Sequence, residues 1–225
     1  PKTQDAVFNR LGCPVERRFF EGFGHEEIAA FDDLIPGYLG QDDVLWEKVA
    51  LEAADGAELA ARYVAPRGEG ARPLVLLFHD HGILPRGWHH LTRYAALGYG
   101  VLELENRDPE VSYEQGIADA RVAFDYAAGH LAPSAVIAFG EGFGGSLALG
   151  LAAGKPVDKA AAINALPYPE LLEAVAAIAC PVLFATGRMD EISLRATRTQ
   201  RINYPKFGHE RVNAFENSLL SFMHL

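Results

Sequence analysis

The stretch Ala135-Val136-Ile137-Ala138-Phe139-Gly140-Glu141-Gly142-Phe143-Gly144-Gly145-Ser146 decides how this chain is read. Ala135 to Phe139 is a short apolar run, the pattern of a strand buried on both faces. Gly140 to Gly145 is a glycine-rich turn, and Gly144 to Ala153 continues as a helix of small residues. A strand, a tight turn and a helix in immediate succession form one half of a parallel crossover unit.

Working outward, the same alternation recurs. Upstream, Leu74 to Phe78 is another apolar run, followed by a helix over Trp88 to Leu97 that Gly98 ends and a strand over Tyr99 to Leu104. Tyr113 to Ala128 reads as a long helix, with Gly129 placed as its C-terminal cap. Downstream come strands at Lys159 to Asn164, Pro181 to Thr186 and Arg201 to Tyr204, with helices at Tyr168 to Ala177 and Val212 to Met223. Repeated strand–helix units imply a mostly parallel sheet with helices on both faces. Val44 to Leu51 and Leu59 to Val64, joined by Ala54-Asp55-Gly56, predict a leading hairpin that adds antiparallel strands at one edge. Residues 1–43 are broken up by Gly22, Gly24, Pro36, Gly37 and Gly40 and carry no pattern that assigns them a role. They are set apart as an N-terminal extension, and 44–225 as a single α/β domain.

Composition narrows the class. With 225 residues, 49% of them hydrophobic, the chain can bury a full core without disulfides or metal staples. Thirty acidic against 20 basic side chains leave a net charge of −10, which argues against nucleic acid or an anionic membrane as partner. No stretch reaches the length of an apolar membrane span, and Pro1 to Arg10 lacks the apolar core of a signal peptide, so the expected location is cytoplasmic. Cys13 and Cys180 are too few for a disulfide framework and read as small buried apolar residues.

In an open α/β sheet ligands bind at the carboxyl ends of the strands. Four such ends carry chemistry here: His79-Asp80-His81-Gly82, Gly140 to Gly145, Gly187-Arg188-Met189-Asp190 and Gly208-His209-Glu210. Their order, His-Gly loop, glycine-rich elbow, acid and histidine, is that of the α/β-hydrolases. Phe78-His79-Asp80-His81-Gly82, Ala96-Leu97-Gly98-Tyr99, Arg107, Cys180-Pro181-Val182-Leu183 and Tyr204-Pro205-x-x-Gly208-His209-Glu210 resemble motifs of the acetyl xylan esterase and cephalosporin C deacetylase family, a dienelactone-hydrolase-like group. The resemblance covers residues 46 to 225. It implies an α/β-hydrolase fold, Asp190 and His209 as orienter and base, the N–H groups of Phe143 and His81 as oxyanion donors, and His79, Arg107 and Trp88 lining the substrate site. It is also compatible with a homo-oligomer.

The departures from that pattern weigh more. The elbow serine is replaced by Gly142, which tolerates the turn but offers no attacking atom. Asp80 stands where the loop has glycine, an acid in what should be an anion-stabilising loop, and the Arg-Gly-Gln motif reads Arg107-Asp108-Pro109. Ser146 and Glu141 do not reach the tip of the turn. The favoured expectation is an esterase-like protein, impaired in catalysis, that binds a small ester or acetylated ligand, with no cofactor. The alternatives are a true acetyl esterase or lactone hydrolase in which Gly142 is an introduced change or His209 activates water directly, and a dinucleotide-binding or purely structural scaffold. Gly140-x-Gly142-x-x-Gly145 fits a dinucleotide fingerprint, but no acid ends the next strand, where Asn164 sits. His79, His81, His89 and His90 lack an acid or cysteine to complete a metal site, so none is expected. Asp119 and Asp125 are expected on the exposed side of their helix.

Overall fold

The computed structural model describes residues 44–81, 88–186, 199–203 and 213–224. In chain order the elements are β1 (Val44–Glu52), β2 (Glu58–Pro66), β3 (Pro73–Phe78), α1 (Trp88–Ala96), β4 (Gly100–Leu104), α2 (Tyr113–Tyr126), β5 (Ala135–Glu141), α3 (Phe143–Gly154), β6 (Lys159–Ile163), α4 (Pro169–Ala174), β7 (Val182–Thr186), β8 (Thr199–Asn203) and α5 (Asn213–His224). They build an eight-stranded sheet in the order β1-β2-β4-β3-β5-β6-β7-β8. β1 and β2 pair antiparallel, as does β2 with β4, and every pairing from β4 onward is parallel.

The period-two alternation of the strands explains the two layers of helices. Leu74, Leu76 and Phe78 point to one face, with Ile117, Ala120 and Phe124 of α2, Leu147 and Leu151 of α3 and Leu171 of α4. Val75 and Leu77 point to the other, with Leu91 and Tyr94 of α1 and Leu219, Phe222 and Met223 of α5. A strand with apolar residues on both faces has no polar side to give to water, so it must be covered twice. Among the described residues, no helix is long and apolar enough to cross a membrane.

Some local expectations are corrected. Gly129 does not end the long helix: α2 passes into a π-helical turn over Ala127–Leu131, and the left-handed residue that stops it is Ala132, with φ 44°. The helix expected over Tyr168 to Ala177 is α4 followed by a 3-10 turn, Val175–Ala177. Asp119 is buried on the sheet-facing side of α2, while Asp125 is exposed and pairs with Lys155. Cys180 is half-buried against the core rather than fully inside it, and burial pushes its thiol pKa up.

Candidate functional site

The end of β5, the turn at Gly142 and the start of α3 meet the loop after β3. Two close approaches decide the local sequence. A Cβ on Gly144 would lie 2.3 Å from the carbonyl oxygen of Phe78, and one on Gly140 would lie 2.1 Å from that of Gly144. Only glycine lets α3 start this near the sheet. The third, Gly142, has φ 56° and ψ −121°, a left-handed turn that side chains adopt only under strain.

Ser146 belongs to the packing of this corner. It is fully buried, its hydroxyl donates to the carbonyl of Leu166 at 2.9 Å, and the Leu166 N–H donates back at 2.8 Å. It holds α3 to the segment after β6, and its hydroxyl also lies 3.3 Å from the carbonyl oxygen of Gly142.

The two amides that the resemblance makes oxyanion donors do converge on one point, and that point is already occupied. Phe143 N–H donates to Asp80 Oδ1 at 2.8 Å, and His81 N–H donates to the same oxygen at 2.9 Å. An ideal Cβ on Gly142 would fall 2.2 Å from Asp80 Cγ and 2.3 Å from each carboxylate oxygen. The Asp80 carboxylate therefore fills the volume that an elbow side chain would need. Hydrogen bonds to a charged acceptor are worth roughly 1.5–3 kcal/mol each. The N-terminus of α3 adds attraction for negative charge, about 0.3–1 kcal/mol. Gly142, the N-cap residue, has no side chain to cap α3, and Asp80 supplies that acceptor from another strand end.

The loop carrying Asp80 is held from behind. Asn106 Nδ2 donates to the carbonyl oxygens of Asp80 at 3.1 Å and His79 at 3.4 Å. His79 is buried, its Nε2 lying 2.7 Å from Glu103 Oε1. The other Glu103 oxygen meets Arg62 Nη2 at 2.8 Å, and the Arg62 guanidinium lies 5.6 Å from the centre of the Trp46 ring. Glu103 has no exposed surface, and breaking such a buried pair by removing one partner costs about 3–5 kcal/mol. His79 thus anchors the loop and turns one ring nitrogen away from any ligand.

The residues that carry the two donor amides are joined by ring contacts that extend to Tyr168 and Tyr113. The His81 ring stacks on Phe143 with centroids 3.8 Å apart, and Tyr168 stacks on Tyr113 at 4.6 Å and meets Phe143 edge-on at 6.1 Å. Burial, and next the charge of Asp80, raise the Tyr168 hydroxyl above its ordinary pKa, so it stays protonated. Burial and the nearby Glu170 push Tyr113 up to about 12.

Arg107 is not aimed at this site. Its Nε donates to Asp119 Oδ2 at 2.8 Å, its Nη2 pairs with Asp119 Oδ1, and its Nη1 donates to Asp55 at 2.6 Å. These bonds raise its pKa and, reciprocally, hold the Asp55 carboxyl below the usual carboxylate range. Arg107 ties the β1–β2 turn to α2, a structural duty instead of the substrate contact expected for it. Asp190 and His209 lie outside the described residues, as does residues 1–43. Trp88 opens α1, and its side chain is outside what is described.

Asp80 is the residue whose place at this corner the sequence did not convey. The signal was present: an acid gained in the donor loop and a side chain lost at the elbow, two changes that occupy the same space.

No family model matches the chain. An uncharacterized protein of Mycobacterium tuberculosis, found in two strains, is 28% identical over 183 residues covering 68% of this chain. The chain spans 65% of the length of those curated relatives. Among solved structures, an acetyl xylan esterase from Paenibacillus superposes with a TM-score of 0.72 at 17% identity, over 87% of this chain and 93% of that one. Another, from Thermoanaerobacterium, gives 0.66 at 18% identity over 81% and 83%. A dienelactone hydrolase-like promiscuous phosphotriesterase from metagenomic libraries gives 0.60 at 21% identity over 72% and 82%. At such identities the likeness establishes the architecture of these enzymes and not their reactions.

Proposed function

From the α/β-hydrolase fold that the chain shares with acetyl xylan esterases, we propose an esterase-like protein that binds a small ester-like or acetylated molecule and does not take it through a serine acyl-enzyme. One observation carries the reading: the Asp80 carboxylate sits on both backbone donors and in the space beside Gly142. Oxyanion donors act by meeting charge that develops during reaction. Here they already hold a full negative charge, so an ester carbonyl gains nothing by approaching them. Nor does Asp80 replace serine on an acyl group. A carboxylate attacking an acetyl ester forms an anhydride, which is less stable than the ester it came from. Gly142 and Asp80 thus belong together, which favours a lineage that abandoned the serine route over a single change made to silence an intact enzyme.

The same contact weighs against the dinucleotide reading. A pyrophosphate binds at a helix N-terminus through its free N–H groups. At α3 that position is taken by an anion belonging to the protein.

The test is hydrolysis of p-nitrophenyl acetate by the full chain, with a fluorophosphonate label followed by mass spectrometry. The expected result is turnover no faster than residual donor and binding effects give, and no serine adduct. Esterase-level turnover, or a stable adduct on any serine, would overturn the reading.

A further inference from the structure

The Asp80 carboxylate is clamped through one oxygen only. Oδ1 accepts from the Phe143 amide at 2.8 Å and the His81 amide at 2.9 Å. Among the described residues Oδ2 has no hydrogen-bond partner, and no cationic side chain pairs with the charge. The more deeply buried carboxylates are treated differently: Glu103 has Arg62, and Asp119 has Arg107. A partly buried charge without a counter-charge is costly, and Asp80 is half-buried.

A second polar atom of this corner also lacks a partner among the described residues. His81 Nδ1 is buried and makes no hydrogen bond, and it belongs to the residue whose amide clamps Asp80. Such an orphan asks for an explanation. We propose that the acetylated molecule bound at this corner carries an ammonium group, with Asp80 Oδ2 as its counter-ion and His81 Nδ1 as a second acceptor. This deepens the reading above and rests on it.

One group satisfies both orphans, because an ammonium has donors and no acceptor. Oδ2 accepts one N–H, and the His81 ring, with its own proton on Nε2, accepts another at Nδ1. Binding is reversible and breaks no bond. An anion is refused here, since Asp80 already occupies both amides and its free oxygen is negative. The His81 ring stacks on Phe143 at 3.8 Å, and Phe143 meets Tyr168 at 6.1 Å. Aromatic faces favour cations over anions. Burial, and next the charge of Asp80, keep the Tyr168 hydroxyl protonated, so it adds no second negative charge. The net charge of −10 draws cations toward the chain as a whole. The amide pair thus orients a carboxylate, and the outer oxygen of that carboxylate reads the opposite sign.

The experiment titrates the full chain by calorimetry, at low ionic strength, with ligands of like length and different charge. They are N-acetylputrescine, which is cationic, N-pentylacetamide, which is neutral, and 4-acetamidobutanoate, which is anionic. Butylamine supplies the ammonium without the acetyl group. The proposal expects N-acetylputrescine to bind on the order of tenfold tighter than N-pentylacetamide, the scale of one charge-assisted hydrogen bond at a half-buried site. The anion should bind weakest, and salt should narrow the preference. In Asp80→Asn the cationic and neutral ligands should converge. The ligand series in the parent chain needs no variant, so a folding defect in Asp80→Asn does not obscure the result. Equal affinities across the three charges overturn the proposal, as do tightest binding of the anion and no binding of any ligand. If butylamine binds as tightly as N-acetylputrescine, the ammonium site stands and the acetylated-ligand reading falls, so the two failures are told apart.

Discussion

Restoring a serine at the elbow is the obvious repair, and the structure predicts that it fails by itself. In Gly142→Ser the new Cβ arrives 2.2 Å from Asp80 Cγ, so the carboxylate has to leave. Leaving breaks its bonds to the amides of Phe143 and His81. Their nominal worth is roughly 3–6 kcal/mol together. Asp80 is half-buried, and water recovers part of that, which leaves about 2–4 kcal/mol. The positive φ of residue 142 adds roughly 1–2 kcal/mol for any residue with a Cβ. Gly142→Ser should therefore cost about 3–6 kcal/mol. In an Asp80→Gly background only the backbone strain remains, about 1–2 kcal/mol. Denaturant melts of the parent, both single variants and the double variant give a cycle whose coupling energy should reach about 2–4 kcal/mol, far above the ~0.5 kcal/mol of independent sites. At this chain length each kcal/mol moves Tm by roughly 2–4 °C, so thermal melts resolve it too. In p-nitrophenyl acetate hydrolysis, any gain should appear only in the double variant, where the two donors are free. Additive stabilities, or equal turnover in Gly142→Ser with and without Asp80, would refute the steric argument.

Arg107→Ala should lower stability by about 3 kcal/mol, because it leaves Asp119 buried without its cation; urea melts measure this, and an unchanged midpoint with altered ligand binding would return Arg107 to the substrate site. Alkaline pH gives another check. Burial holds the Tyr113 hydroxyl up to about 12 from its ordinary 10, so the folded state keeps this proton more tightly than the unfolded chain. The stability it contributes is present in full below pH 10 and is lost as pH rises through about 12. Phenolate absorbance in Tyr113→Phe against the parent should show the missing late step, and titration of Tyr113 near pH 10 would count against its buried placement.

Much of the fold was legible because its signals are local. Apolar runs such as Leu74 to Phe78 and Ala135 to Phe139 need helices on both sides wherever they sit, and the hairpin around Asp55-Gly56 carries its own turn chemistry. Less legible were features that depend on what lies opposite. Gly129 read as a helix stop, yet the π turn carries the chain past it to Ala132. Asp119 read as a solvated residue, because nothing in its own helix announces that Arg107 reaches it from the loop after β4. The donor pair was readable by resemblance, but its occupant was not.

What the sequence by itself determined is the alternation of strands and helices, the glycines that let α3 approach the sheet, and the absence of a serine oxygen at residue 142. Periodicity and residue size act over a few neighbours, so they can be read along the chain. Tertiary structure alone decided that Asp80, 62 positions before Gly142, fills the gap left there. That outcome depends on β3 and β5 lying side by side in the sheet, which brings two loop ends within hydrogen-bond reach. Distance along the chain carries no information about such a meeting, and the anion held by those two amides is its consequence.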